Sequence, residues 1–190
     1  NNLSATFFIA SGFLDGGRMW NDSVIESIRS LTALELDLSV LGLGKYDISS
    51  LDKKASVAAK ILQNIKHLQP EIRDHHVSYI LSLSKNLPND LMMTSNQVLK
   101  LSESGMEIGG HTVNHPILAK LTPDQVNKEV NENKKTLEQL LNKTIRYFAY
   151  PNGKPGQDYT LDQVSIIKSC GYLAALSTQP AISIKKDDCW

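Results

Sequence analysis

The stretch Thr122-Pro-Asp-Gln-Val-Asn-Lys-Glu-Val-Asn-Glu-Asn-Lys-Lys-Thr-Leu-Glu-Gln-Leu-Leu-Asn-Lys-Thr-Ile-Arg-Tyr-Phe-Ala-Tyr150 contains a helix signal followed by a strand signal. Thr122 is placed to cap the helix, Pro123 takes the first helical position, and Gln125 completes a capping box. Val126, Val130, Leu137 and Leu141 then share one helical face, and Ile145 to Tyr150 reads as the strand that follows. The same unit occurs on either side. Upstream, Thr94-Ser95-Asn96-Gln97 opens a helix carrying Val98 and Leu101 that ends before Gly105, and Met106 to Gly110 reads as its strand. Downstream, Thr160 and Gln163 form a box, Val164 and Ile167 lie on the apolar face, Gly171 ends the helix, and Tyr172 to Leu176 is the strand. Helix and strand alternate three times, which predicts parallel strands joined by right-handed crossovers: an α/β barrel or an open doubly wound sheet, with function at the strand C-termini.

Further out, Ala5-Thr6-Phe7-Phe8-Ile9-Ala10 is short, apolar and stopped by Ser11-Gly12, so a buried strand is expected. From about Val24 to Leu87 the pattern turns helical, with Ala55, Ala58, Leu62 and Ile65 at spacings of three and four and Pro70 closing that stretch. The expected organisation is one domain over 1–190, with a helical insertion or lid at about 20–90.

With 190 residues the chain is long enough for a continuous core, and Lys+Arg and Asp+Glu both number 20. Zero net charge provides no electrostatic draw towards nucleic acid or anionic lipid, so a neutral partner fits better. Cys170 and Cys189 lack CxxC spacing and suggest neither a disulfide framework nor a thiolate zinc knuckle. No apolar run is long enough to span a membrane, and Asn1-Asn2-Leu3-Ser4 does not begin a signal peptide. The chain is expected to begin inside a longer protein.

Gly109-Gly110-His111-Thr112-Val113-Asn114-His115-Pro116 starts where a strand is expected to end. Two imidazoles four residues apart, in a loop or one helical turn, can aim at one point, as paired histidine zinc ligands do; two surface histidines are the competing reading. Gly109 and Gly110 let the backbone turn closely, and Pro116 prevents an immediate helix. The next strand runs into Pro151-Asn152-Gly153-Lys154-Pro155-Gly156, either an ordinary turn or a tight loop whose amide hydrogens, notably that of Asn152, stabilise an oxyanion.

The order Ala5-Thr6-Phe7-Phe8, then Gly109 to Pro116, then Phe148-Ala149-Tyr150-Pro151-Asn152-Gly153 resembles polysaccharide deacetylases of the NodB-homology type, carbohydrate esterase family 4. The resemblance implies a distorted (β/α) barrel, incomplete in this chain, with His111 and His115 as ligands of a divalent metal, zinc by preference. It implies that the Thr112 hydroxyl steadies the histidine loop, that Tyr150 and Pro151 form one wall of the substrate groove, and that the Asn152 N–H is the oxyanion donor. The implied reaction removes N- or O-acetyl groups from an acetylated polysaccharide or oligosaccharide; a catalytically inactive carbohydrate-binding barrel and a small-molecule amidohydrolase are the alternatives. The family resemblance also favours an extracytoplasmic or secreted protein. Oligomeric state is left open.

Two departures accompany the resemblance. The family's Asp-Asp pair, catalytic base and third ligand, would precede the Ala5-Thr6-Phe7-Phe8 strand, and a later histidine would follow Trp190, so this chain by itself is expected to be inactive. Ala149 stands where many members carry an arginine. Asp15 is a conceivable replacement ligand, with an exposed turn aspartate as the other reading. Asp74-His75-His76 falls in a helical stretch where adjacent side chains diverge. Trp20 and Trp190 are each read as packing residues before sugar-stacking ones.

Overall fold

In the computed structural model, residues 3–180 are described. The elements follow as β1 (Thr6–Ile9), α1 (Trp20–Ser30), β2 (Glu35–Asp37), β3 (Lys45–Asp47), α2 (Leu51–Ile65), α3 (Pro70–Ser82), α4 (Ser95–Glu103), β4 (Glu107–Gly110), α5 (Pro123–Leu141), β5 (Tyr147–Ala149), α6 (Leu161–Ser169) and β6 (Ala174–Leu176). Cys189 and Trp190 lie outside the described residues. The chain divides into two compact units, one of residues 1–17 and 92–190, the other of residues 18–91.

The first unit is a four-stranded sheet in the order β1-β4-β5-β6, with every pairing parallel. Thr94 and Thr122 cap α4 and α5 with reciprocal Gln97 and Gln125 bonds, which satisfy N–H groups that a helix start leaves unpaired. At α6 the Gln163 side chain accepts from the Thr160 N–H and hydroxyl, each at 2.8 Å. The α4 exit is closed by the Met106 N–H on the Leu101 carbonyl and the Gly105 N–H on that of Ser102. Val126, Val130 and Leu137 of α5 are fully buried against Ile108, Phe148, Tyr150, Ile167 and their neighbours. Each such burial contributes about 1.5–3 kcal/mol, so the apolar stripe rather than intrinsic propensity holds this helix on the sheet.

Two expectations for this unit are corrected. β1 is not a buried strand: Thr6 and Phe7 are exposed, and burial begins at Ile9 and Ala10. Among the described residues β1 pairs only with β4, so one strand edge and part of its face lack cover. Gly109 and Gly110 belong to the strand and do not make a turn. A Cβ at Gly109 would sit 2.4 Å from the Phe8 ring, and one at Gly110 2.3 Å from the Tyr172 hydroxyl, so their smallness permits close packing.

The second unit has its own core of Val24, Ile28, Leu36, Leu38, Ile48, Val57, Ala58, Ile61, Ile65, Val77 and Ile80. The helical reading of Val24 to Leu87 holds for α1, α2 and α3 but misses the antiparallel β2–β3 pair, whose register is Glu35↔Asp47, Leu36↔Tyr46 and Asp37↔Lys45. Strands of three residues are too short for period-two alternation to show. Pro70 opens α3 at its first turn and does not end the preceding helix, as its fixed φ allows. Trp20 packs on this core with the Arg73 guanidinium 5.1 Å above its ring. His75 and His76 are successive residues of α3, and His76 Nδ1 lies 2.7 Å from the Ile72 carbonyl oxygen.

Candidate active site

β4 and β5 run parallel, with Gly110 opposite Phe148, so the chain leaves both strands at the same edge of the sheet. His111 to Pro116 leaves β4 there, and Tyr150 to Gly156 leaves β5. The rings of His111 and His115 come together, their centroids 4.6 Å apart and their planes at 67°. His111 Nδ1–H donates to the Ala149 carbonyl at 2.7 Å. A carbonyl oxygen only accepts, so the proton sits on Nδ1 and Nε2 carries the lone pair. Burial pushes the His111 pKa down and so favours the neutral ring, while the hydrogen bond to Ala149 opposes that shift.

The loop between the histidines takes two residues into the left-handed region, Thr112 at φ 66° and His115 at φ 52°. For a β-branched residue this conformation costs about 1–3 kcal/mol and persists only where surrounding contacts compel it. Thr112 is fully buried. Its hydroxyl donates to the His111 carbonyl at 2.5 Å and accepts the His115 N–H at 3.0 Å, bridging the two histidines. The loop after β1 closes against it, with Ser11 N–H on the Thr112 carbonyl at 3.2 Å and Gly12 N–H on that of Val113 at 2.9 Å.

Helix α5 supports the loop through two residues that the sequence reading missed. Asn133, fully buried, accepts the His111 N–H at 3.1 Å and donates to the carbonyls of Ile9 at 2.9 Å and Thr112 at 2.6 Å. One turn earlier, Glu129 Oε2 accepts the N–H groups of Val113 and Asn114 at 2.9 and 2.8 Å, and Oε1 accepts the Asn114 side-chain amide at 2.7 Å. The signal for Asn133 was present in the sequence: it is a polar residue at helical spacing within the apolar stripe Val126, Val130, Leu137. The Ala149 carbonyl had no such signal, because every residue has one.

On the β5 side, Gly153 N–H bonds the Pro151 carbonyl at 2.7 Å, a γ-turn with Asn152 at its centre and φ 61°. Thr178 fastens this turn, its hydroxyl on the Asn152 carbonyl at 2.7 Å and its N–H on the Gly153 carbonyl at 2.9 Å. The Asn152 N–H takes no acceptor among the described residues. Tyr150 is 2% exposed and stacks on Tyr159 with centroids 3.6 Å apart, and Pro151 is buried beside it, so both side chains lie beneath the surface at this strand end.

Asp15 is an exposed residue at φ 61° whose carboxylate receives the Ser95 N–H at 2.8 Å and the Ser95 hydroxyl at 2.6 Å. Those two bonds hold its pKa below the usual carboxylate range. It therefore supports the first turn of α4, where a negative charge is favoured. Cys170 is half-buried and free.

The donor set suits a metal such as zinc in part: His111 is neutral, its ring is oriented by a carbonyl on the far nitrogen, and His115 lies beside it. Among the described residues no third His, Cys, Asp or Glu joins the pair.

Over 101 residues the chain is 25% identical to the Bacillus subtilis protein named "Putative polysaccharide deacetylase YxkH", a match covering 53% of this chain and 35% of that protein. Among solved structures it is similar to BC0361, a polysaccharide deacetylase from Bacillus cereus (20% identity, 61% of this chain, 40% of the other, TM-score 0.46). It is similar also to BA3943, a CE4 family pseudoenzyme from Bacillus anthracis (20% identity, 43% and 28%, TM-score 0.40). The chain thus spans about a third of the length of that relative. The family model described as polysaccharide deacetylase matches residues 53–175, well over half of the chain. With its parallel α/β sheet and a barrel incomplete among the described residues, the chain belongs to the polysaccharide deacetylase family.

Proposed function

We propose that the chain carries the metal-binding loop of a hydrolase that removes N- or O-acetyl groups from a carbohydrate polymer, with His111 and His115 holding a divalent metal, zinc by preference. The observation that carries this reading is the pairing of the two rings at 4.6 Å while the Ala149 carbonyl engages Nδ1 of His111 and leaves Nε2 as its donor. Bound there, a divalent metal supplies Lewis acidity towards the acetyl carbonyl and lowers the pKa of bound water towards about 7. The chain's own residues supply position. Thr112 ties His115 to His111, and the Asn152 N–H, without an acceptor among the described residues, is suited to donate a hydrogen bond to the acetyl oxygen as negative charge develops there. Tyr150 and Pro151 give the Asn152 turn a rigid base from which one wall of the substrate groove is built.

The test is replacement of His111 or His115 by Ala in the whole protein, with metal content and acetate release from acetylated chitooligosaccharides, xylan and peptidoglycan as readouts. Zinc affinity should fall by more than about 100-fold, beyond the range typical of residues that only support a ligand. Wild-type metal content in both variants would refute the ligand assignment. Saccharide binding without acetate release by the unaltered protein would replace the hydrolase with a carbohydrate-binding barrel.

A further inference from the structure

We propose that Glu129 and Asn133, one turn apart on α5, are positioning residues that set the aim of the histidine pair and through it the affinity for metal; the metal clause rests on the reading of His111 and His115 given above. Between them these two side chains engage the backbone of four consecutive residues. Asn133 holds the His111 N–H and the Thr112 carbonyl, and Glu129 holds the N–H groups of Val113 and Asn114. The loop they grip contains two left-handed residues, Thr112 and His115, one of them β-branched, a geometry that the loop's own sequence does not favour. Something outside the loop must hold it, and α5 offers both charges and shape for that. The carboxylate faces three N–H donors, while the amide presents its oxygen to a donor and its nitrogen to two carbonyls, so neither residue is replaceable by the other.

Asn133 also ties the histidine loop to the end of β1, through the Ile9 carbonyl at 2.9 Å and the Ser11 hydroxyl at 3.0 Å. Glu129 is only half-buried, so its replacement leaves the core of α5 in place, whereas Asn133 is fully enclosed and its replacement endangers folding. The decisive variants are therefore at Glu129.

The experiment compares wild type, Glu129→Ala, Glu129→Gln and Asn133→Ala in the whole protein. It measures zinc affinity by competition with a chelating dye, ring-to-ring NMR contacts between His111 and His115 without metal, and the melting temperature. Glu129→Ala should lose about 10–100-fold in zinc affinity and weaken the ring contact while its melting temperature stays within a few degrees of wild type. Glu129→Gln keeps one oxygen for the two backbone N–H groups, and the Asn114 amide can turn to face its NH2, so it should recover most of both signals. Wild-type affinity and ring contact in Glu129→Ala, or a loss that Gln does not rescue, would overturn the proposal. A wild-type protein that binds no zinc would remove the metal reading alone, and the ring contact would then decide the positioning role. Asn133→Ala, if folded, should lose more than Glu129→Ala in both measurements; equal or smaller losses would count against its part in the proposal.

Discussion

Tyr172 is 3% exposed, its hydroxyl lies against Gly110, and that hydroxyl meets no hydrogen-bond partner among the described residues. Burial pushes its pKa well above the ordinary tyrosine value. A buried donor without a partner costs about 1–3 kcal/mol, so Tyr172→Phe should leave stability unchanged or raise it, by up to about 1 kcal/mol once the repacking around Gly110 is included. Urea unfolding reads this directly, and a drop of more than about 1 kcal/mol would show that the hydroxyl is engaged. The same scale explains why some site residues were legible and others were not. His111, His115 and Thr112 carry their chemistry in side chains at readable spacing. Ala149 acts through a backbone carbonyl, and Glu129 through N–H groups that any loop residue presents.

At the scale of elements, the β2–β3 hairpin is held at its ends by carboxylates. Asp37 accepts the Ser39 N–H at 2.9 Å and pairs with Lys45 at 3.0 Å, and its pKa falls to about 2, with the Ser39 hydrogen bond the largest cause. Asp47 is also held well below the usual range, first by the Lys53 ammonium at 2.6 Å and then by Ser49. A carboxylate whose folded pKa lies below its unfolded value of 3.8 contributes stability above about pH 4, and that contribution disappears as pH falls through the folded pKa. The urea midpoint of residues 18–91, followed through hydrogen exchange of the hairpin amides, should therefore drop between about pH 4 and pH 2. The drop should be smaller in Asp37→Asn/Asp47→Asn, and an equal slope in the double variant would show that these pairs contribute nothing. The hairpin itself went unread because its strands are three residues long, whereas α4, α5 and α6 announced themselves through Thr and Gln at capping distance and an apolar stripe.

Across the molecule, two sets of buried residues form two cores, one on the parallel sheet and one among α1, α2, α3 and the hairpin. Ile61, fully buried in the second, should cost about 2–5 kcal/mol when replaced by Ala, read as faster exchange of the α1, α2 and α3 amides. Unchanged protection there would mean that the cavity collapses without loss. By itself the sequence determined the alternation of helix and strand, the caps, the inward stripe of α5 and the placement of the two histidines after a strand, because each depends on spacing along the chain. Only the tertiary structure decided that β1 pairs with β4, that Gly110 makes room for Tyr172 and not for a turn, and that Asp15 serves Ser95. It alone brought α5 beneath the histidine loop, where Asn133 reaches the Ile9 carbonyl 124 residues away in sequence. Contacts of that range follow from how buried polar groups find partners once helices are packed on a sheet, and no local pattern in the chain encodes which partner each will find.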